Sequence, residues 1–181
     1  KITTVTNSSK GNCVKWNAIS GTTGYYVYRK VSGKWKNIAH VYKDYYNSVN
    51  GYTVTGLSAG KTYQFAINAY KMVNGKKYMS VSFPTVTTLT KPAKVTSFKK
   101  VVASKTAIKT SWKKVSGANG YIVYRYQNKK WVRVATIKNN YYTFTKLKRN
   151  TNYRFCVKAY KKVGSKTEYG SITTLTTKTS K

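Results

Sequence analysis

Carboxylate side chains are almost absent from this chain, because Asp44 and Glu168 are the only acidic residues among 181. The two fall in different halves of the sequence. Glycoside hydrolysis normally needs two carboxylates across one cleft, and calcium sites need loops rich in acidic oxygen ligands. The composition therefore argues against both a glycosidase and a calcium-binding domain.

Histidine and cysteine are scarce as well, with one His and two Cys. His40 precedes Asp44 by four residues, but no serine or cysteine motif supplies a nucleophile, so we interpret His40 as a surface residue. Cys13 and Cys156 lie in different halves, and we interpret them as unpaired thiols. Zinc ligands at the usual spacing are missing. We therefore expect no enzyme, no metal and no cofactor.

Long apolar runs are also missing. No stretch of about 18 apolar residues occurs, which predicts that the chain does not insert into a membrane. The opening "KITTVTN" lacks the apolar core of a signal peptide, and the sequence has the character of a fragment excised from a longer protein. Localisation has to be inferred from the kind of domain instead.

Basic residues dominate the charge, with 35 Lys and Arg and a formal net charge of +33. They occur along the whole chain, and the apolar and aromatic content is too high for a disordered polycation. A folded surface of this sign attracts polyanions through a field that salt weakens. We expect anionic polymers or glycans as partners, nucleic acid binding that is at most non-specific, and a monomer.

An internal repeat organises the sequence. "GYYVYRKVSGKWKNIA" at residues 24–39 is matched by "GYIVYRYQNKKWVRVA" at residues 120–135, and both halves close on "TLT". The period is far above the 20 to 50 residues typical of solenoid repeats. The sequence therefore predicts two tandem domains.

The boundary between them falls in "TLTKPAKV", where Pro92 lacks a hydrogen-bond donor for a strand ladder. We place the first domain at residues 1–90 and the second at residues 91–181. Apolar residues alternate with polar ones in short runs, and turn sequences such as "LSAGKT" and "VNGKK" separate the runs. This pattern predicts an all-β fold of two antiparallel β-sandwiches, without helices.

The residues of both repeats resemble tandem fibronectin type III domains of Gram-positive bacterial secreted or surface proteins. "LSAGKTY" and "LKRNTNY", ending at Tyr63 and Tyr153, are similar to the tyrosine corner of that family. Trp16 and Trp112 stand where the family places its core tryptophan, on the second strand. The resemblance implies an extracellular or cell-surface location and a role as a binding module or spacer.

Aromatic residues form the candidate binding face. If Tyr25 and Tyr121 point into the cores, the next residues point outward. The tryptophan of each following strand extends this face. The candidate residues are Tyr26, Tyr28, Trp35, Tyr124, Tyr126 and Trp131.

Cations flank these aromatics in the sequence. The candidate polyanion contacts are Lys34, Lys36, Lys129, Lys130 and Arg133. Aromatics beside donors suit stacking on sugar rings, and aromatics interleaved with cations suit single-stranded nucleic acid. The alternative interpretation is that the tyrosines are cross-strand pairs, covered by lysine stems, that only stabilise the sheet.

Three functions follow from these patterns. The leading hypothesis is a non-catalytic adhesion and spacer module that binds anionic polymers or cell surfaces. The second is a carbohydrate-binding accessory module of a larger polysaccharide-degrading enzyme. The third is recognition of a host surface protein, for which the longer segment at residues 42–52 of the first repeat is the candidate site.

Overall fold

A computed structural model describes residues 1–43 and 49–181 of the chain. The chain divides into two compact units, Lys1–Thr90 and Lys91–Lys181. Antiparallel strands build both units, and no helix occurs in the part of the chain that is described. The prediction of two all-β antiparallel sandwiches is confirmed.

Residues 1–43 and 49–90 of the first unit form eight strands in two sheets. One sheet has the order β1-β2-β5, and the other has β4-β3-β6 with β7 and β8 both pairing with β6. The strands are β1 Ile2–Asn7, β2 Asn12–Asn17, β3 Gly24–Val31, β4 Lys34–Tyr42, β5 Val49–Val54, β6 Thr62–Val73, β7 Lys76–Met79 and β8 Thr85–Leu89.

The second unit repeats this arrangement. Its sheets have the orders β13-β10-β9 and β12-β11-β14, with β15 and β16 both pairing with β14. The strands are β9 Lys99–Ala103, β10 Ile108–Ser111, β11 Gly120–Gln127, β12 Lys130–Ile137, β13 Tyr141–Phe144, β14 Asn152–Val163, β15 Lys166–Tyr169 and β16 Thr173–Lys178.

A tryptophan and a tyrosine form the centre of each core. Trp16 meets Tyr25 edge-on, with the ring centroids 5.4 Å apart, and Trp112 meets Tyr121 in the same way at 5.2 Å. All four side chains are buried. Edge-to-face pairs of this kind add to the stabilisation that burial provides. Each unit therefore has a hydrophobic core of its own.

The tyrosine corners form as the sequence predicts. The hydroxyl of Tyr63 accepts a hydrogen bond from the amide of Ser58 at 2.9 Å, and the hydroxyl of Tyr153 accepts one from the amide of Lys148 at 2.7 Å. Each bond satisfies a backbone donor in the turn before the long strand, β6 or β14. The turn is thereby fixed against that strand.

The two thiols differ in their surroundings. Cys13 is half-buried on β2, whereas Cys156 is buried on β14, and both are free. Burial raises the pKa of the Cys156 thiol to about 11, against a smaller opposing effect of Lys158. At neutral pH the Cys156 side chain is therefore both inaccessible and protonated.

We expect a thiol reagent at about pH 8 to modify Cys13 alone in the folded protein, since the thiolate is the reacting form. Mass spectrometry of the labelled protein tests this directly. A Cys156→Ala variant is the control, because Ala66 occupies the equivalent position in the first unit. Rapid labelling of Cys156 before unfolding would contradict the expectation.

Candidate binding faces

Strand β3 sends alternate side chains to opposite faces of its sheet. Tyr25 and Val27 are fully buried in the core, so Tyr26 and Tyr28 point to the outer face, where both are half-buried. The outward placement that the sequence predicts for these two tyrosines is the one observed.

A β-bulge in β4 brings further side chains to the same face. Ala39 and Asn37 pair with consecutive residues of β3, which leaves Ile38 without an opposite residue. The extra residue shifts the alternation by one position. Trp35 and His40, an odd number of residues apart, therefore both lie on the outer face.

We call the outer surface of the β4-β3-β6 sheet the first aromatic face. One half of it consists of the rings around His40. His40 stacks on Tyr26 with centroids 4.8 Å apart, and its Nε2 lies 2.6 Å from the hydroxyl of Tyr70. Burial, reinforced by Tyr42 and Tyr26, raises the pKa of Tyr70. Lys77 donates to the hydroxyl of Tyr26 at 2.5 Å, and this bond raises the pKa of Lys77.

Phe83 organises the other half of the first aromatic face. Its ring lies 5.2 Å from that of Tyr28 and 5.4 Å from that of Trp35. The ammonium of Lys30 stands 5.6 Å from the centroid of Trp35. The predicted aromatics of this unit therefore belong to a continuous group of rings, because Tyr26 also contacts Tyr28 with centroids 6.5 Å apart.

The second unit has the same bulge, with Val134 left unpaired in β12. Trp131 consequently reaches the outer face and packs edge-on against Tyr126, with centroids 5.1 Å apart. The guanidinium of Arg154 lies over both rings, 4.6 Å from the Tyr126 centroid and 5.7 Å from that of Trp131. These two aromatics are covered by a cation.

The remaining predicted aromatic, Tyr124, is covered in the same way. The ammonium of Lys158 lies 5.4 Å from the Tyr124 centroid and 4.6 Å from that of Tyr169. Such contacts stabilise by about 0.5–1 kcal/mol at exposed sites. The interpretation of these aromatics as cation-covered cross-strand pairs thus fits all three in the second unit, and it fits Tyr26 and Trp35 in the first, where Lys77 and Lys30 lie over the rings.

The five predicted cations are exposed but do not form one cluster. Because Lys34 and Lys36 neighbour Trp35 in β4, they point to the opposite face of that strand, and Lys130 stands in the same relation to Trp131. Lys129 lies in the β11–β12 turn with a φ of 60°. Only Arg133 shares the outer face of its sheet, where it pairs with Tyr124 and donates a hydrogen bond to Thr136.

Comparison with known proteins bears on the fold. Residues 92–176 match the family model for the fibronectin type III domain. A segment of two fibronectin type III domains from chicken tenascin superposes with a TM-score of 0.58 at 15% identity, covering 97% of each chain. The fold is the fibronectin type III fold. The first to third fibronectin domains of chicken CNTN1 also match, at 20% identity and a TM-score of 0.43, over 99% of this chain and 67% of that one. Among curated proteins no match is found.

The sequence analysis did not identify several side chains that belong to the candidate binding faces of the two units. Arg154 and Lys158 alternate along β14 with the buried residues Phe155 and Val157, so extending the pattern from β11 to β14 identifies them as outer-face residues. Phe83 follows β7 in an irregular segment, where no periodic signal exists. Lys77 belongs to a short strand that the sequence does not distinguish from a turn.

The remaining expectations concern the candidate host-protein segment, metal sites and membrane-spanning segments. The candidate host-protein segment at residues 42–52 includes residues 44–48, which lie outside the described residues, as does the carboxylate of Asp44. Within residues 1–43 and 49–181, no group of three His, Cys, Asp or Glu side chains could hold a metal ion. The same residues contain no helix that is long and apolar enough to cross a bilayer.

Proposed function

We propose that this chain is a non-catalytic binding and spacer module that adheres to anionic polymers through its basic surface. The fibronectin type III fold supports a binding or spacer role. The observation that carries the choice of ligand is the exposure of the charge. Thirty of the 35 Lys and Arg side chains are exposed and the other five are half-buried: Arg29, Lys43, Arg125, Lys158 and Lys161.

Acidic residues neutralise very little of the positive charge on this surface. Each unit has a single acidic residue, while the second unit holds 23 of the 35 cations and the first holds 12. Potentials of this kind raise the local concentration of oppositely charged ligands and the rate of their association. We propose a setting outside the cell, on a secreted or surface protein of bacterial origin, with teichoic acids, acidic glycans or other anionic surfaces as natural ligands.

Binding measured at two salt concentrations tests the proposal. The panel contains a teichoic acid, an acidic glycan, a neutral glycan and DNA. We expect binding to the acidic members at about 50 mM salt, with a loss of tenfold or more at about 200 mM because the contacts release condensed counterions. Absence of binding to every acidic member at the lower salt concentration would disprove the proposal.

A second candidate is neutral carbohydrate binding at the first aromatic face. The observation that favours it is the run of neighbouring rings around His40 and Phe83, which ends at Tyr42, a side chain that is 70% exposed. Exposed aromatic surface of this kind suits the apolar face of a sugar ring. In that role the chain would be an accessory module of a larger polysaccharide-degrading enzyme.

Trp35→Ala and Trp131→Ala variants separate the second candidate from the first. Stacking survives high salt, whereas a field-driven contact weakens. Neutral-glycan binding that persists in high salt and disappears in the Trp35→Ala variant would support the carbohydrate module. Unchanged neutral-glycan binding in both variants would eliminate it.

A further inference from the structure

The outer face of the β12-β11-β14 sheet carries Arg133, Arg154 and Lys158, and we call the surface around these three side chains the second cationic face. Arg154 lies over Tyr126 and Trp131, and Lys158 lies over Tyr124 and Tyr169. The third, Arg133, donates a hydrogen bond to Thr136. In each of these contacts the partner is an uncharged ring or hydroxyl.

These contacts orient the cations without neutralising them. A free arginine or lysine side chain loses rotamer entropy when it is fixed, and a side chain that already rests on a ring has lost part of that entropy before a ligand arrives. Glu168, the single acidic residue of this unit, neighbours Tyr169 in β15 and therefore points to the other face of the sheet. The second cationic face keeps its charge.

In the first unit the cations over the rings come from other positions, Lys77 over Tyr26 and Tyr70 and Lys30 over Trp35, and the positions of Arg154 and Lys158 carry no charge. Strand pairing places Gln64 where the second unit has Arg154, and Asn68 where it has Lys158. The two repeats have therefore diverged on one surface while keeping the same aromatic framework. Together with the larger share of cations in the second unit, this difference favours the second unit for the binding of anions.

We propose that the second cationic face is a binding site for an acidic polysaccharide, an inference that rests on the proposed function and locates it. Arg154 and Lys158 are four residues apart on one strand, which separates their Cα atoms by about 13 Å. Their charged groups also rest on different pairs of rings, so an extended polymer with repeated carboxylate or sulfate groups suits them better than a single small anion. The guanidinium groups of Arg133 and Arg154 suit such oxyanions because their parallel donors can bind two oxygens at once.

The rings of this face argue for a polysaccharide over a nucleic acid. Single-stranded nucleic acids gain much of their affinity from bases that stack on free aromatic faces. Here Tyr126 and Trp131 pack edge-on against each other and share the cation above them. A ligand thus contacts guanidinium and ammonium groups before it contacts a ring. A polymer without bases loses no affinity for this reason, because it does not depend on stacking.

A charge-matched pair of variants tests the site. The double variant Arg154→Gln with Lys158→Asn installs the residues of the first unit, and the control Lys113→Gln with Lys114→Asn removes the same charge from an exposed segment after β10. The probes are a heparin oligosaccharide, an oligogalacturonate and an oligothymidine. Affinity is measured for each at about 50 and about 200 mM salt, and thermal melting checks that both variants fold.

We expect the site variant to bind the heparin oligosaccharide at least about tenfold more weakly than wild type, with a shallower salt dependence, since two ionic contacts are lost. The control should weaken binding by less than about threefold, because it alters only the general field. The oligogalacturonate should respond in the same direction, which would show that carboxylates and sulfates are both accepted.

Three results would overturn the proposal, and they differ in meaning. Equal losses in the two variants would show that the face is not a site, while salt-sensitive binding by wild type would still uphold the proposed function. Absence of wild-type binding to both acidic glycans would overturn the site, and would remove the proposed function as well if teichoic acid and DNA also failed to bind. A larger effect of the site variant on oligothymidine than on the glycans would assign the face to nucleic acid.

Discussion

Replacing Trp112 with alanine is expected to lower the free energy of unfolding of the second unit by about 3–5 kcal/mol, the usual cost of removing a buried large aromatic side chain. Trp112 is 3% exposed and packs edge-on against Tyr121 and Phe98. A domain of this size is stabilised by only about 5–15 kcal/mol in total. The substitution therefore removes a large part of the free energy of unfolding of that unit.

Hydrogen exchange at increasing urea concentration measures the effect, because it reports separately on the amides of each unit. We expect loss of protection across the second unit while the first, with its own core around Trp16, is unchanged. Trp131→Ala is the matched control, since that tryptophan is half-buried on the outer face and should cost much less. A loss below about 1 kcal/mol for Trp112→Ala would contradict the role assigned to this side chain.

Replacing Gly24 with alanine is expected to destabilise the first unit by about 1–3 kcal/mol, as overpacking usually does. A Cβ atom at this position would lie 2.7 Å from the carbonyl oxygen of Val41 and 2.9 Å from Cε1 of Tyr70. The first contact is with backbone of a paired strand, which cannot move aside without breaking the ladder. Displacement of Tyr70 would also disturb its contact with His40.

Thermal and urea unfolding of Gly24→Ala, compared with Gly51→Ala, isolates the steric cause. A Cβ atom at Gly51 would meet the Cγ atom of Lys15 at 3.2 Å, the middle of a flexible side chain. Because glycine weakens strands through its entropy, the Gly51 variant should be neutral or slightly more stable than wild type. Equal destabilisation by the two substitutions would show that close packing at Gly24 is not the reason.

Alternation and repetition made most of the fold predictable from the sequence. The shared pattern of residues 24–39 and 120–135 reveals two units, and period-two patterns place Phe65 and Phe155 in the cores, where both are fully buried. The tyrosine corners were predictable because a short local motif determines them. In each of these cases the information lies within one strand or one turn.

The candidate faces were harder to predict, because they depend on relations between strands. A strict alternation along β4 would separate Trp35 from His40, and only the extra residue Ile38 returns them to one face. The cations that cover the rings come from a different strand of the sheet, so Arg154 meets Tyr126 through pairing and not through sequence proximity. Lys34 and Lys36, which are near Trp35 in sequence, point away from it for the same reason.

The bulges have a further consequence for how copies of this protein meet. Strands β4 and β12 are the edges of their sheets, and an unpaired edge offers a row of backbone donors and acceptors to any other chain. The extra residues Ile38 and Val134 interrupt that row and increase its local twist, and the lysines beside Trp35 and Trp131 place like charges against an approaching copy. The residue that returns each tryptophan to the outer face thus also protects each edge against strand pairing with another copy.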